Sequence, residues 1–462
     1  MPAPASEIIR PPSRPAAPER PPHDPPVAGP ETAAKATPVP PPHLLNGELW
    51  IEVASTPGEL AAHAAAWDSL GQDAAEPNVF YERWMLEPAL AAFARKSNFR
   101  IVFVYRKGKR QDVSPALVGV FPLVLVRSGL GLVRSYRLWT HDYGFLNTPL
   151  IRNGHLVDVL STFLRWTETS PDRASYVDLS LIHGEGPFAK ALTQVLYQDR
   201  RIVHWVEAYN RALLVQSSSA DDYVEAAMSS HHRQEVRRQE RRLAEQGRIE
   251  FRTLESDTDR ETWIGNFFRL EDSGWKGDAG TSLRASDATR NFFREVCAAA
   301  WSRGQLEMLG LFLDDRPIAM KVNFLSGRGS YAFKIAYTEE LARYSPGVQL
   351  ELENIRRLHA RAAAGPRRND AAPLWMDSCA VPNHFMINRL WKDQRTIQHL
   401  IVSSGRRRGN LLVGLLPLLR AAKRTARPLA ASKPTGAPVP CTAPNPASPS
   451  STPPASAAKD KP

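Results

Sequence analysis

The chain has little cysteine, and its three cysteines lie far apart. Cys297, Cys379 and Cys441 have neither the spacing of a zinc ligand set nor that of a disulfide framework. We therefore expect no metal site and no disulfide scaffold. A chain with so few cysteines fits a reducing compartment, so we expect a cytoplasmic protein.

Long apolar runs are also missing. No run approaches the roughly 18 residues that span a bilayer, and no basic segment followed by an apolar run opens the chain, so we expect no secretory signal. The nearest approach is Asn410–Arg420, with arginines at 406–408 before it. This run could lie on an anionic membrane surface, contact a synthase complex or dock on its own domain. Pro417 argues against a long helix there.

Acidic residues are outnumbered, which gives a net charge of +11. Such a charge could indicate a nucleic-acid partner. The arginines, however, form local clusters at 233–242 and 406–408, the first of them interspersed with acids, and no platform of alternating aromatic and basic residues is evident. We therefore expect no DNA binding and interpret the excess charge as a solvated basic surface.

Proline is the residue in excess, and 25 of the 39 prolines fall in residues 1–45 and 428–462. Such segments bury too little apolar surface to fold, so both ends are predicted to be disordered. The composition divides the chain into a tail at 1–45, a first folded unit at 46–215 and a second at 216–405. A basic and apolar segment followed by a Pro/Ala/Ser-rich tail occupies 406–462.

The most informative stretch lies between residues 306 and 362. Three strands are predicted at Met308–Leu313, Ile318–Leu325 and Ser330–Tyr337, separated by turn residues. A helix follows, because Ser345 can cap it and Pro346 suits its first position. The combination of sheet and helix predicts an α/β (α+β) fold.

The segment Ser345-Pro346-Gly347 also suits an anion. A helix start presents free backbone N–H groups, and a glycine in the first turn allows a phosphate to approach closely. Arg343 could add positive charge. The same residues also begin many purely structural helices.

The run Tyr331-Ala332-Phe333-Lys334, Ala336-Tyr337 and Ala342–Gly347 resembles the core of the GNAT acyltransferase superfamily. The branch it resembles contains acetyltransferase-like proteins associated with cellulose biosynthesis, related in fold to Fem-type aminoacyltransferases. The resemblance implies two GNAT-like units, each a mixed sheet flanked by helices. It also implies that acetyl-CoA is the co-substrate, without a metal, and that it is held by these residues: Lys334, Tyr337, Arg343, Tyr344, Ser345, Gly347 and Val348.

The first unit repeats the strand–turn–strand pattern at Phe99–Tyr105 and Ala116–Val126, but it has no counterpart of Ser345-Pro346-Gly347. We therefore expect the acyl donor in the second unit only. His141, Asp142 and Tyr143 follow in a polar loop that could bind the acceptor at the cleft between the units. The same loop could equally be a capped, solvated turn.

Two further segments have open interpretations. The basic helix predicted after Ser229 could clamp CoA phosphates, contact an anionic polymer such as tRNA, or be solvated. Trp275 and Lys276 resemble a family segment near the acceptor, where Lys276 could position an acidic group or remain exposed.

The catalytic candidates lie at the end of the strand predicted at Leu374–Ala380 and just after it. The resemblance implies that this strand separates from the donor-binding strand. Asp377 could act as base or orient the acceptor if burial raises its pKa, and His384 is the other titratable candidate. Cys379 lacks a thiolate-stabilising pattern.

These features predict an acyltransferase that moves an acyl group, expected to be acetyl, from acyl-CoA to an amine or hydroxyl. The acceptor would be a small molecule or a saccharide, which could link the protein to exopolysaccharide or cellulose biosynthesis. The alternatives are a Fem-like aminoacyltransferase using charged tRNA and a non-catalytic binding protein of a polysaccharide-synthesis complex.

Overall fold

The computed structural model describes residues 43–44, 48–94, 97–108, 115–128, 131–273, 282–363 and 373–425, of which 43–44 and 419–425 are described by backbone only. Apart from His43 and Leu44, the proline-rich tail predicted at 1–45 lies outside these residues, as do residues 426–462 of the C-terminal segment. All of the described residues belong to one compact unit, which begins at Pro42.

Fourteen strands form one sheet in this part of the chain. Their bounds are β1 His43–Leu44, β2 Leu49–Ala54, β3 Phe99–Arg106, β4 Ala116–Ser128, β5 Val133–Leu138, β6 Leu150–Ile151, β7 Tyr176–His183, β8 Val203–Val215, β9 Ile249–Thr253, β10 Leu306–Leu313, β11 Arg316–Ser326, β12 Gly329–Tyr337, β13 Trp375–Asp377 and β14 Asp393–Ser403.

Helices connect and cover the strands. Their bounds are α1 Pro57–Leu60, α2 Ala64–Gln72, α3 Arg83–Phe93, α4 Leu156–Thr169, α5 Pro187–Gln198, α6 Ala220–Ala227, α7 Ser230–Ala244, α8 Arg260–Asp272, α9 Asp287–Trp301, α10 Pro346–Ala363 and α11 Arg407–Thr425. Short 3₁₀ helices include Glu339–Tyr344, before α10, and Ile387–Arg389, before β14.

The sheet is mixed, with the order β1-β2-β3-β4-β5-β7-β14-β8-β13-β12-β11-β10-β9, and β6 pairs with β4. Two pairs of strands are parallel, β5 with β7 and β12 with β13, and the other pairs are antiparallel. A mixed sheet flanked by helices confirms the predicted fold class.

The two halves of the chain exchange strands at the centre of the sheet. Strand β14 belongs by sequence to the second half, yet it lies between β7 and β8 of the first half. Strand β8 in turn pairs with β13 of the second half. The predicted boundary, residue 215, is the last residue of β8. It therefore lies at the end of a strand that pairs with β13 of the second half.

The two faces of the second half carry different helices. Alternate side chains of a strand point to opposite faces. In β11, Met320, Val322 and Phe324 join the core that includes residues of α8 and α9. Lys321 and Asn323 instead contact α10. The sheet therefore separates an α8 side from an α10 side.

The three predicted strands of the informative stretch and the helix from Pro346 match β10, β11, β12 and α10. Helix α11 runs through Pro417, so the prediction that this proline prevents a long C-terminal helix was wrong. Pro417 is exposed, so water can hydrate the carbonyl that loses its helical partner.

Candidate functional site

A gap opens between β12 and β13. The two strands pair in parallel over only three positions, which end at Tyr331 opposite Asp377. Beyond Tyr331, β12 continues to Tyr337 with no strand partner on that edge among the described residues. A bulge at Phe333 interrupts its pairing with β11 on the other edge. The open edge of β12 leads directly towards α10.

The first turn of α10 is shaped by its backbone. Ser345 has a left-handed conformation, with φ of 51°, between the 3₁₀ helix and α10. Its carbonyl accepts hydrogen bonds from the N–H groups of Val348 and Gln349. Gly347 is buried, and a Cβ there would lie 3.1 Å from Cδ1 of Tyr337. Only glycine fits this position without displacing the Tyr337 ring.

The other predicted donor residues surround this turn. Arg343 is exposed, with its guanidinium 4.8 Å from the ring centre of the buried Tyr344. Val348 is half-buried and packs against a core cluster that contains Met386. The sulfur of Met386 lies 3.7 Å from the position of a Cβ on Gly347. The segment after β13 therefore reaches the helix start.

A buried polar network fixes that segment. Glu351 of α10 accepts hydrogen bonds from Lys321 Nζ at 2.7 Å, from Asn354 Nδ2 at 2.7 Å and from Trp391 Nε1 at 3.1 Å. Glu351 is fully buried. Because Trp391 lies five residues after Met386, its bond to Glu351 holds the segment against α10.

Lys334 lies on the α8 side of the sheet, although it was predicted to bind the donor. Its ammonium pairs with Glu271 of α8 and lies 5.2 Å from the ring centre of Tyr143. The side chain of Lys334 is 8% exposed and that of Glu271 is not exposed. Phe333 contacts the Tyr143 ring as well. Residues of both halves therefore meet beside the open edge of β12.

The residues of the predicted acceptor loop differ in their exposure to solvent. Asp142 is exposed, whereas His141 stacks on Phe93 at 5.0 Å and also contacts Trp139. Burial lowers the pKa of His141 to about 3, so the ring is neutral at physiological pH. Trp275 and Lys276 lie outside the described residues.

Asp377 sits in a buried cluster. Its Oδ2 accepts hydrogen bonds from Arg211 and Arg395, each at 2.7 Å, and its Oδ1 accepts the N–H of Cys379 at 2.9 Å. Burial alone would raise the pKa of Asp377, but the two guanidinium groups hold it below its usual value. A carboxylate with a lowered pKa and both oxygens engaged is poorly suited to accept a proton.

His384, the other catalytic candidate, is half-buried in the segment that carries Met386. Its ring stacks on Phe385 at 5.4 Å, and its Nδ1 is 3.4 Å from the N–H of Ile387. The structure therefore places a titratable ring two residues from the contact with Gly347.

The equivalent gap in the first half is closed. Strands β5 and β7 also pair in parallel over three positions. Beyond them, the N–H of Asn147 donates to Leu181 O at 2.8 Å, and Thr148 accepts the N–H of His183. The loop that contains Asn147 and Thr148 therefore occupies the edge of β7 beyond its pairing with β5.

The basic helix α7 crosses the start of α10. Val236 and Leu243 are buried, and Leu243 packs with Tyr344 and Leu350. Four arginines of the helix are exposed, and they are Arg237, Arg238, Arg241 and Arg242.

Sequence reasoning missed the buried charges. Lys321 is a charged residue within a mainly apolar stretch of β11, and Glu351 lies on the same helical row as Val348 and Ile355. A basic residue and an acidic residue, each at an inward-facing position, indicate a buried ion pair. Glu271 offered no such signal, because its partner Lys334 follows it by 63 residues.

No group of three or more His, Cys, Asp or Glu side chains among the described residues is suited to hold a metal ion. No helix in the described ranges is long and apolar enough to cross a membrane.

One family model matches part of the chain. Residues 230–368 match the family model described as acetyltransferase (GNAT) domain. This region contains α7 to α10 and the open edge of β12. No curated protein sequence matches the chain.

Several solved structures resemble the chain at low sequence identity. FemX is 9% identical, with 76% of this chain and 96% of that chain covered and a TM-score of 0.47. A conserved protein of unknown function from Bacteroides thetaiotaomicron is 9% identical, with 76% and 99% covered and a TM-score of 0.45. A tandem GNAT protein from the clavulanic acid biosynthesis pathway is 12% identical, with 77% and 99% covered and a TM-score of 0.39.

Proposed function

We propose that this protein transfers an acyl group, acetyl in the simplest case, from acyl-CoA directly to an amine or hydroxyl. The observation that carries the proposal is the open edge of β12, which leads to Gly347 in the first turn of α10. The match to the acetyltransferase domain covers the same elements.

The residues at this edge fit an acyl-CoA donor. Backbone groups of β12 that have no strand partner among the described residues can bond the amides of an extended arm. In the first turn of α10, Pro346 has no N–H and the N–H of Val348 donates to Ser345 O, so the N–H of Gly347 is the group that could bond a pyrophosphate. The absence of a side chain at Gly347 allows the pyrophosphate to approach. Arg343 is exposed beside this turn and can add a charge-assisted contact.

Catalysis would rest on positioning. Backbone N–H groups along the edge of β12 would polarise the thioester carbonyl, and the cleft would hold the acceptor in line with it. An amine acceptor must first lose its proton, because an ammonium has no lone pair. We propose His384 as the group that takes this proton, in place of Asp377. Tyr143 and the Lys334–Glu271 pair would contact the acceptor from the α8 side.

We retain a small molecule or a saccharide as the acceptor and the cytoplasm as the setting. A link to exopolysaccharide or cellulose biosynthesis rests only on the resemblance of the motifs quoted above. The scarcity of cysteine favours the cytoplasm.

The donor site can be tested by calorimetric titration with acetyl-CoA and CoA. Gly347→Glu should abolish binding, because a carboxylate would occupy the position proposed for the pyrophosphate. Gly58→Glu is the matched control, since Gly58 also follows a proline in the first turn of a helix but has open space around it. Unchanged affinity in folded Gly347→Glu would remove the proposed site.

Because Gly347 is buried, its replacement by glutamate can unfold the protein. A second variant therefore tests the site at an exposed residue. Arg343→Ala changes an exposed side chain and should weaken donor binding by about 1–3 kcal/mol. Arg127→Ala, an exposed arginine at the end of β4, should not. Equal affinities of the two variants would exclude Arg343 from the site.

The exposed arginines of α7 favour a second candidate, an aminoacyltransferase that uses charged tRNA. The backbone phosphates of the tRNA would bind these arginines, and this binding would weaken strongly as the salt concentration rises. Binding of tRNA at physiological salt, lost in Arg237→Gln/Arg241→Gln, would support it. Failure to bind either CoA or tRNA would favour the third interpretation, a binding protein of a polysaccharide-synthesis complex.

A further inference from the structure

Helix α11 docks on the sheet along one narrow line. It packs against β8 and β14, and Val413 is 1% exposed. At Gly409 a Cβ would lie 2.0 Å from the carbonyl oxygen of Ser175, so only glycine allows the backbone this close. These two positions lie on the face of the helix that meets the sheet.

The opposite face of α11 is apolar and exposed. Leu411, Leu415 and Leu418 are 64%, 40% and 66% exposed. At about 100° per residue, the three lie within an arc of about 60°, roughly opposite Val413. An exposed stripe of leucines is unfavourable in water and indicates a surface that meets an apolar partner.

The charge around this stripe has one sign. Arg407 and Arg408 are exposed in the first turn. Arg420, Lys423 and Arg424 occupy the last turns of the same helix, and the sequence contains no aspartate or glutamate between Asp393 and Asp460. Two copies of such a helix would repel each other, whereas an anionic surface would attract each of them.

We propose that α11 is a peripheral membrane anchor that lies flat on an anionic lipid surface. The leucines would enter the boundary between headgroups and acyl chains while the basic residues contact lipid phosphates. The anchor is independent of the acyl-donor site, so its test does not depend on the proposed reaction.

The test is co-sedimentation of the full chain with vesicles of phosphatidylcholine alone or with added phosphatidylglycerol. The wild type should bind the anionic vesicles and lose binding as salt rises. Leu411→Gln/Leu415→Gln/Leu418→Gln should weaken binding by about an order of magnitude, and Arg407→Gln/Arg408→Gln should weaken it as well. Leu132→Gln is the matched control, because Leu132 is 76% exposed in the turn between β4 and β5.

Each alternative outcome is distinct. Equal binding to neutral and anionic vesicles, or wild-type binding by the triple variant, would overturn the proposal. A wild type that ignores vesicles but self-associates, with self-association lost in the triple variant, would assign the stripe to a second copy of the chain. The substituted leucines are exposed, so the variants should keep the wild-type melting temperature, which confirms that each binding measurement reports on folded protein.

Discussion

At the scale of single residues, burial and charge distinguish the two catalytic candidates. Asp377 lies between two arginines that need its negative charge, and it accepts three hydrogen bonds. His384 is half-buried in the segment that approaches the donor helix. A residue that holds buried cations in place contributes to stability, and its removal should be visible in unfolding rather than in proton transfer.

The Asp377→Asn substitution should therefore lower the free energy of unfolding by about 3–5 kcal/mol, because it leaves two buried guanidinium groups without their counter-charge. Urea unfolding measures this loss. Asp142→Asn, which neutralises an exposed carboxylate, should change stability by less than about 0.5 kcal/mol.

Acetyl-CoA affinity of folded Asp377→Asn should remain close to that of the wild type. An opposite pattern, with stability retained and turnover reduced by about 10²–10⁴-fold, is the signature of a lost general base. That result would restore Asp377 as the catalytic group and remove His384.

At the scale of elements, the donor site depends on how the segment after β13 is held. Met386 contacts the start of α10 near Gly347, and Trp391 connects the same segment to Glu351 further along that helix. The helix thus carries both the proposed anion site and the anchor for the segment that borders it. Loosening the anchor should affect both stability and donor binding.

The Trp391→Phe substitution tests this coupling. It keeps most of the apolar ring but removes a hydrogen bond to a buried carboxylate, so it should cost about 1.5–3 kcal/mol of stability and weaken acetyl-CoA binding. Trp50→Phe is the matched control, because Trp50 also donates to a glutamate but lies on β2 in the first half. Equal donor affinity in both variants would show that the segment does not shape the site.

At the scale of the whole molecule, buried polar contacts connect the two halves. Glu82, at the start of α3, accepts hydrogen bonds from Ser326 and from Gln305, which belong to the second half. Its side chain is also bonded by Trp84. Burial raises the pKa of Glu82 to about 7 in spite of these bonds.

This raised pKa predicts a pH dependence of stability. The unfolded chain releases the Glu82 proton near pH 4.5, whereas the folded protein keeps it until about pH 7. Stability should therefore fall between these two values and level off above them, by an amount on the order of 3 kcal/mol. Glu82→Gln should lose this slope in melting curves recorded across the window, and Glu87→Gln, a partly exposed residue on the same helix, should keep it. Parallel slopes for wild type and Glu82→Gln would show that Glu82 is ionised in the fold.

Much of the second half could be predicted because its signals are local. Mainly apolar runs bounded by turn residues located β10, β11 and β12, and Ser345-Pro346-Gly347 located the start of α10. Each signal lies within a few residues, and hydrogen bonding and burial act at that range. Lys334 was predicted to bind the donor for the same reason, because its neighbours in the sequence are predicted donor residues.

Tertiary structure decided what depends on distant partners. The exchange of β8 and β14, the pairing of Lys334 with Glu271 and the cluster around Asp377 each join residues far apart in the chain, and Arg211 precedes Asp377 by 166 positions. A charge in a sequence shows neither its burial nor its partner, and these two properties determine its pKa and its role. Asp377 therefore suggested a base in the sequence and became the counter-ion of two arginines in the fold.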